Sequence, residues 1–436
     1  MNHRPLSNSA APALSVNVKR AAVSALLLAA TAAWGATPPK PADNAEVYHL
    51  YAGSTHAHTQ LTWSHGEQWV AAAKGEKKSA EGGEKKEGGL KISAEGVQGP
   101  PAGNTLRPDW QKDNQGMPAD HFARAKAKGY DFYTTTDHSQ EATLHPPSPK
   151  HPKWVETHQQ AKAATDSAFV ALVGYEHSEN NGPGGSGHLN VINSGEYINA
   201  LAPGMDLPKL YQWLQTVPSA GDGPVVAVFN HPSPKQYNEF AYRDAGVTDV
   251  ITMLEVINSN KNIHYAGFLA ALDKGWKVSP VCGNDNHGFY GIEKHTSRTY
   301  VLATSKTKAA ILDAMKHRRT YATLEQNLQC RYTVNGAIMG STLVQPDTLE
   351  FAISLRDPDT TEEKDKITKI DIVTETGEVV ETHEPTPAHE ITWKPTLRNA
   401  TKKYYFIRVW NAGGGDLSTA KPADPVAWLA PIWTGR

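Results

Sequence analysis

The chain has 436 residues, and 43 Lys+Arg against 45 Asp+Glu leave a formal charge of −2, without the basic excess of a protein that coats nucleic acid or a membrane surface. This length accommodates roughly two or three domains with buried cores, whereas two cysteines build neither a disulfide framework nor a cysteine-rich structural zinc site. The unusual count is 19 histidines, and their placement is the question.

Residues 1–36 read as a secretory leader. A polar stretch with Arg4, Lys19 and Arg20 precedes the short apolar core AAVSALLLAATAAW, and small residues at 30–36 offer a cleavage region. The apolar stretch is shorter than a comfortable span, and no later segment reaches that length. The expectation is an exported mature chain without a membrane span, periplasmic in a Gram-negative host, with an uncleaved anchor as the alternative.

From residue 46 two textures alternate. Apolar or β-branched runs at 47–52, 130–136, 168–175, 224–229, 250–258 and 276–282 read as strands. Helical stretches are expected at 119–128, 154–166, 207–217, 262–274 and 307–318; Pro118 opens the first, and Gly129 and Gly275 close the first and fourth. Strand–helix repetition with continuously apolar strands predicts an α/β fold around a parallel sheet covered on both faces, closed or open. Residues 71–117 interrupt this order as a flexible insertion, because GEKKSAEGGEKKEGGLK has too few apolar side chains to pack. After about 326 the runs RYTVNG, LEFAISL, ITKIDIVTETGEVV and KKYYFIRVWN alternate without helices between them. They predict a small C-terminal antiparallel β-sandwich at 328–436, with ETGE as a hairpin turn.

Chemistry gathers where the apolar runs end. The first leads into GSTHAHT with His56 and His58, the second into Asp137 and His138, and the third into Glu176, with GHLNVI and His188 soon after. The fourth ends in Asn230-His231-Pro232, and the last in GNDNH with Asp285 and His287. In parallel α/β folds the carboxyl ends of the strands share one face, so five strands deliver imidazole and carboxylate to one rim. Those are the donors that zinc, manganese and iron take. A single His-x-His or Asn-His-Pro is an ordinary turn or core feature; recurrence at successive strand ends points to a metal centre.

These motifs, GSTHAHT, TTTDHS, GYEHS with GHLNVI, NHP and GNDNH, resemble in order those of the polymerase and histidinol phosphatase (PHP) superfamily, and more closely its exported branch, the CehA/McbA-type or DUF3604-like metallohydrolases. The resemblance covers about residues 46–326 and implies a distorted seven-stranded β/α barrel holding two or three divalent metal ions. It implies His56, His58, Glu176 and Asp285 around one ion, with Glu176 bridging to a second held by His188 and His231. A third would take His138 and His287, with His65 of SHGE as the remaining ligand. Glu176 and Asp285 are then the catalytic carboxylates, and Asp137 is expected to orient a histidine.

The expected chemistry is hydrolysis of a small-molecule ester by metal-activated water. Phosphoester cleavage comes first, carbamate or carboxyl-ester cleavage second, and a non-catalytic periplasmic metal- or solute-binding protein is the rival. Arg298 and Lys294 are candidates for holding a phosphate, and His177 or His295 for protonating the leaving group. Cys282 reads as a buried apolar residue, with a Cys282–Cys330 disulfide as the alternative. Tyr404, Tyr405, Phe406 and Trp410 read as sandwich core, with a sugar-binding platform as the alternative. Zinc, manganese and iron stay equivalent on these ligands, and oligomeric state is open.

Overall fold

A computed structural model describes residues 47–62, 69–71, 104–106, 115–179, 187–260, 262–414 and 424–436. The leader, His65 and most of the 71–117 insertion lie outside the described residues. In chain order the elements are β1 (His49–Ser54), β2 (Trp69–Ala71), β3 (Asn104–Leu106), α1 (Pro118–Ala127), β4 (Phe132–His138), α2 (Pro152–Ala164), β5 (Val170–Glu179) and β6 (Gly187–Ile192). There follow α3 (Leu207–Leu214), β7 (Val226–Asn230), α4 (Ala245–Val250), β8 (Ile251–Asn258), β9 (Asn262–Ile263), α5 (Tyr265–Asp273), β10 (Ser279–Gly283), α6 (Tyr290–Lys294), β11 (Arg298–Ala303), α7 (Lys308–Lys316) and β12 (Thr320–Thr323). Strands then dominate: β13 (Gln329–Val334), β14 (Ala337–Ile338), β15 (Thr348–Arg356), β16 (Ile367–Val373), β17 (Val379–His383), β18 (Glu390–Trp393), β19 (Thr396–Arg398), β20 (Tyr404–Asn411), β21 (Ala427–Leu429) and β22 (Ile432–Trp433).

The helices stop and start where local chemistry directs. Gly129 and Gly275, at φ +78° and +87°, end α1 and α5 in the left-handed conformation that glycine tolerates best. The Asp206, Asp244 and Thr307 side chains accept from the backbone of Lys209, Val247 and Ala310, capping α3, α4 and α7. Proline occupies the first turn of α1, α2 and α3, where its missing N–H costs nothing.

The main sheet runs β10-β8-β7-β6-β5-β4-β1-β11-β12-β21-β20-β16-β17. Its pairs β10/β8, β8/β7, β5/β4 and β4/β1 are parallel. The expectation of a wholly parallel sheet fails at β6, antiparallel to both neighbours, and at β11 and β12, which continue from β1 antiparallel. Strands β5 and β6 follow one another in the chain and pair antiparallel, as neighbours too close in sequence for a crossover helix do. Side chains tie β10 back to the far part of the run: Cys282 N donates to Thr299 Oγ1 at 2.6 Å, and Thr320 Oγ1 donates to Pro280 O at 2.9 Å. The fold is thus mixed α/β around a large sheet with a parallel portion.

Alternation along these strands builds one face in two layers. Phe132, Val170, Leu172, Ile192, Val226, Val228, Met253 and Val281 form an apolar cluster closed off by Ile311, Leu312 and Met315 of α7. Two, four or six residues further along the same faces stand His138, Glu176, Asn230 and Glu255, with His188 likewise in phase with Ile192 on the antiparallel strand. An apolar plug therefore underlies a polar layer. The opposite faces pack beneath the helices through an aromatic core that includes Tyr133, Trp154, Tyr175, Phe229 and Trp276.

A second, five-stranded antiparallel sheet joins β14, β13, β15, β18 and β19. Strand β15 alternates buried and exposed, and its Phe351, Ile353 and Leu355 share a cluster with Ile370, Ile372, Tyr405 and Ile407 from the main sheet. Strand β20 is buried on both faces: Phe406 meets Phe268 of α5, ring centroids 5.5 Å apart. With Tyr404, Tyr405, Phe406 and Trp410 all buried, the sugar-platform alternative lacks an exposed ring. Cys282 and Cys330 are buried free thiols, so the alternative disulfide does not form. No helix among the described residues is long and apolar enough to cross a membrane.

Candidate metal centre

The polar layer converges on Glu176. Its Oε2 lies 2.8 Å from His138 Nε2 and 3.5 Å from His58 Nε2; its Oε1 lies 3.1 Å from His188 Nδ1, 3.5 Å from His56 Nε2 and 3.6 Å from His231 Nε2. Asp285 Oδ1 stands 3.0 Å from His58 Nε2, 3.3 Å from His56 Nε2 and 3.8 Å from His287 Nε2. The structure therefore brings together eight side chains singled out in the sequence: His56, His58, His138, Glu176, His188, His231, Asp285 and His287. His65 lies outside the described residues.

Several backbone features make this convergence fit. His56 and His58 follow β1 with alternate side chains on one side, and the ladder sets His138 beside Glu176 and His188 beside Asn230. His231 and Asp285 adopt φ of +30° and +44°, values non-glycine residues seldom take, at the turns leaving β7 and β10. Such conformations concentrate at functional sites where surrounding contacts hold them. Gly174 is required because a Cβ there would collide with Val191 O of the neighbouring strand.

Three groups have donor atoms mutually within 4.8 Å: His56, His58 and Glu176; Glu176, His188 and His231; and His58, His138 and His287. Ligands bound about 2.0–2.2 Å from an ion stand roughly 3 to 3.5 Å from each other, and most of the spacings above fall near that range. The donors are imidazole and carboxylate, so the residues fit zinc, manganese or iron. Shared Glu176 and shared His58 link the groups into one centre.

Electrostatics agrees with a cation-demanding site. Burial would raise the Glu176 carboxyl, but the charges of His56 and His188 and hydrogen bonds from His138 and His188 hold it well below its ordinary value. Asp285 follows the same balance, with burial outweighed by His56 and His58. Burial likewise opposes protonation of His56, yet Asp285, Glu255 and Glu176 raise it well above the usual imidazole value. His138 rises to about 10 against burial through hydrogen bonds with Glu141 and Glu176, while burial and the His138 charge push His58 down to about 3. Without a cation the carboxylates favour charged imidazoles; a bound metal would supply that positive charge and leave the imidazoles neutral.

The supporting contacts were less legible in the sequence. Glu255, fully buried on β8, accepts from His56 Nδ1 at 2.8 Å through Oε1. Its Oε2 accepts from His231 N at 2.8 Å and Asn258 Nδ2 at 3.0 Å, and that amide also reaches Asp285 Oδ2 at 3.1 Å. Glu141 Oε1 stands 3.5 Å from His138 Nδ1. Asn230 and Ser178 donate to Glu176 at 2.8 and 2.9 Å. A carboxylate inside the apolar run ITMLEVIN was the available signal for Glu255.

Asp137 touches no histidine ring of the centre directly. It accepts from Thr59 N, Thr59 Oγ1 and Thr62 Oγ1 at 2.7, 2.8 and 2.8 Å, and Thr62 Oγ1 in turn lies 3.4 Å from His58 Nδ1. Burial raises its pKa to about 6 despite those hydrogen bonds. Arg298 is buried, donates to the His295 and Ser297 carbonyls at 2.8 Å each, and lies 3.8 Å over the Tyr130 ring. Its guanidinium is engaged in fold contacts rather than turned to a phosphate, and Lys294 is exposed at the end of α6. His177 alternates with Glu176 and Ser178 and so faces the other side of β5, away from the centre. His295 packs beside Tyr290, ring centroids 5.9 Å apart.

Access is one-sided. His56, His58, Glu176 and His138 are essentially sealed, whereas the side chains of Asp285 and His231 are 20% and 23% exposed.

No family model and no curated protein matches the chain. Among solved structures, a two-domain protein from Bacteroides vulgatus containing a predicted PHP-like metal-dependent phosphoesterase is similar at 14% identity, over 88% of this chain and 96% of that one, with a TM-score of 0.42. An engineered protein is similar at 10% identity over 72% and 79%, with a TM-score of 0.18.

Proposed function

We propose that the protein is an exported, PHP-type metal-dependent hydrolase whose reaction is phosphoester cleavage. The observation carrying this reading is the convergence of six imidazoles and two carboxylates on one partly open cluster centred on Glu176. On this reading His56, His58, Asp285 and Glu176 hold one divalent ion, Glu176 with His188 and His231 a second, and His138 and His287 a third, with His65 completing it. The contribution of such ions is a bound water of lowered pKa and a clamp on the attacking and leaving oxygens.

The chain's own residues bind and orient. Glu255 fixes the His56 tautomer and anchors the strained His231 backbone, while Glu141 performs the first task for His138. Asn230, Ser178 and Asn258 satisfy the remaining carboxylate lone pairs, so the ligand set keeps its shape. The exposed edges of Asp285 and His231 define where a small ester enters. A protein nucleophile is not needed: burial pushes the Cys282 thiol up to about 12, out of thiolate range. The same reading takes residues 46–326 as a distorted barrel and 328–436 as its β-sandwich partner, with the 1–36 leader directing export to the periplasm.

One observation favours carbamate or carboxyl-ester cleavage as the second reading. The engagement of Arg298 with carbonyls and Tyr130 removes the nominated phosphate clamp. Assaying metal-loaded protein on p-nitrophenyl phosphate, bis(p-nitrophenyl) phosphate, p-nitrophenyl acetate and naphthyl carbamate separates the readings. Turnover of a phosphate ester that is lost in Glu176→Gln supports the proposal. Turnover of acetate or carbamate alone would replace it with the second reading, and no turnover on any substrate with full metal content would favour a binding protein.

A further inference from the structure

Four consecutive non-glycine residues, Tyr237, Asn238, Glu239 and Phe240, take φ of +55°, +51°, +53° and +58°. Side chains visit this left-handed region singly as a rule, because it brings each Cβ against the following carbonyl oxygen. A whole left-handed turn persists only where its surroundings hold it, and such conformations gather at functional sites. Two backbone bonds close this one, Phe240 N to Tyr237 O and Ala241 N to Asn238 O at 3.0 Å each. Trp276 Nε1 donates to Phe240 O at 2.9 Å, and the Tyr237 and Phe240 rings lie 4.5 and 5.3 Å from that of Phe229 on β7. Tyr237 and Phe240 are buried, while Asn238 and Glu239 between them are exposed.

What the turn delivers to the interior is one hydroxyl. Tyr237 Oη donates to His188 O at 2.6 Å and to Asn230 O at 2.9 Å, so a single proton is shared between β6 and β7. His188 and Asn230 face each other at the end of that antiparallel ladder. From this pair come the His188 imidazole, His231 one residue on, and the Asn230 amide that donates to Glu176 Oε1 at 2.8 Å. Gly187 keeps space for the phenol, since a Cβ there would stand 2.5 Å from its ring. Burial raises the Tyr237 pKa well above its ordinary value, which keeps the hydroxyl protonated and donating.

Resting on the metal-centre reading above, we propose that Tyr237 is a positioning residue for the ion assigned to Glu176, His188 and His231. Its shared hydroxyl fixes the separation of the two imidazoles, and the left-handed turn is the means of placing it.

Chelator competition on the zinc-loaded full chain, read ion by ion, tests this. Tyr237→Phe removes only the hydroxyl and is expected to weaken one ion about 10- to 100-fold, leaving the others unchanged. Tyr211→Phe removes a hydroxyl of the same core that has no partner among the described residues, and every ion is expected to keep its affinity. His188→Ala is expected to delete the ion concerned, and adding Tyr237→Phe to it should leave the remaining ions as they were. Unchanged affinities in Tyr237→Phe, with two or three zinc ions in the parent chain, would overturn the proposal and leave the metal-centre reading standing. Further weakening in the double variant, or equal weakening in Tyr211→Phe, would overturn it as well, because either marks general loosening. Less than one zinc ion in the parent chain would contradict the metal-centre reading, and the proposal with it.

Discussion

Glu255 shows how one side chain can govern several ligands at once. It accepts from His56 Nδ1, from the His231 backbone and from the amide of Asn258, which in turn contacts Asp285. Glu255→Gln keeps the shape but turns one accepting oxygen into a donor, so metal affinity is expected to fall about 10- to 100-fold by chelator competition. Unchanged affinity would assign Glu255 to packing alone. Gly283 makes room for this arrangement, since a Cβ there would overlap Glu255 Oε1 and approach His56 Cβ to 2.7 Å. Gly283→Ala should therefore cost about 1–3 kcal/mol in chemical unfolding and weaken metal binding in parallel. At this scale the ligands were legible because they terminate apolar runs, where a polar residue stands out. Glu255 lies inside its run, and Asp137 sits beside a ligand without orienting it directly; only the three-dimensional neighbours separate the two. Arg298 differs from its expected role for a similar reason: sequence proximity to GNDNH says nothing about the side chain turning back onto Tyr130 and two carbonyls.

Among the elements, β5 carries the most information. Val170 and Leu172 enter the apolar plug, Gly174 allows the close approach of β6, and Glu176 stands next on the same face as the centre of the ligand cluster. Strand period, not local sequence motif, places the carboxylate. Most helices and parallel strands could be read ahead because proline, glycine and capping residues mark their ends. Strands β6, β11 and β12 are not legible in the same way: GHLNVI carries a ligand motif that masks its strand character, and antiparallel returns require knowing which neighbour the chain rejoins. The α3 cap offers a contrast to the centre. Asp206 Oδ1 accepts from Lys209 N at 2.9 Å on an exposed surface, so Asp206→Ala should lower stability by about 1 kcal/mol and leave metal content unchanged. A loss of metal in that variant would mean that the centre responds to general destabilisation.

At the scale of the whole molecule, the sheet continues from the metal-bearing half into the C-terminal strands without a break. Strand β21 pairs with β12, β20 packs Phe406 on α5, and the Tyr404 hydroxyl donates to Asp273 Oδ1 at 2.7 Å. Removing residues 328–436 would uncover the edge of β12 and the apolar surface beneath β20 and β21. Such a truncation is expected to yield insoluble protein, because open edges and exposed cores template aggregation; a soluble, metal-binding fragment would show that the two halves fold separately. β-rich texture after residue 326 was visible in sequence, whereas its union with the main sheet depends on long-range pairing that local patterns do not encode. The central claim is that the histidine–carboxylate cluster is a multinuclear metal centre. Elemental analysis of the purified full chain, after reconstitution with zinc, manganese or iron(II) and removal of loose metal, tests it most directly. Two or three ions per chain, falling below one in Glu176→Gln, is the expected result; less than one ion per chain under all three metals would contradict it.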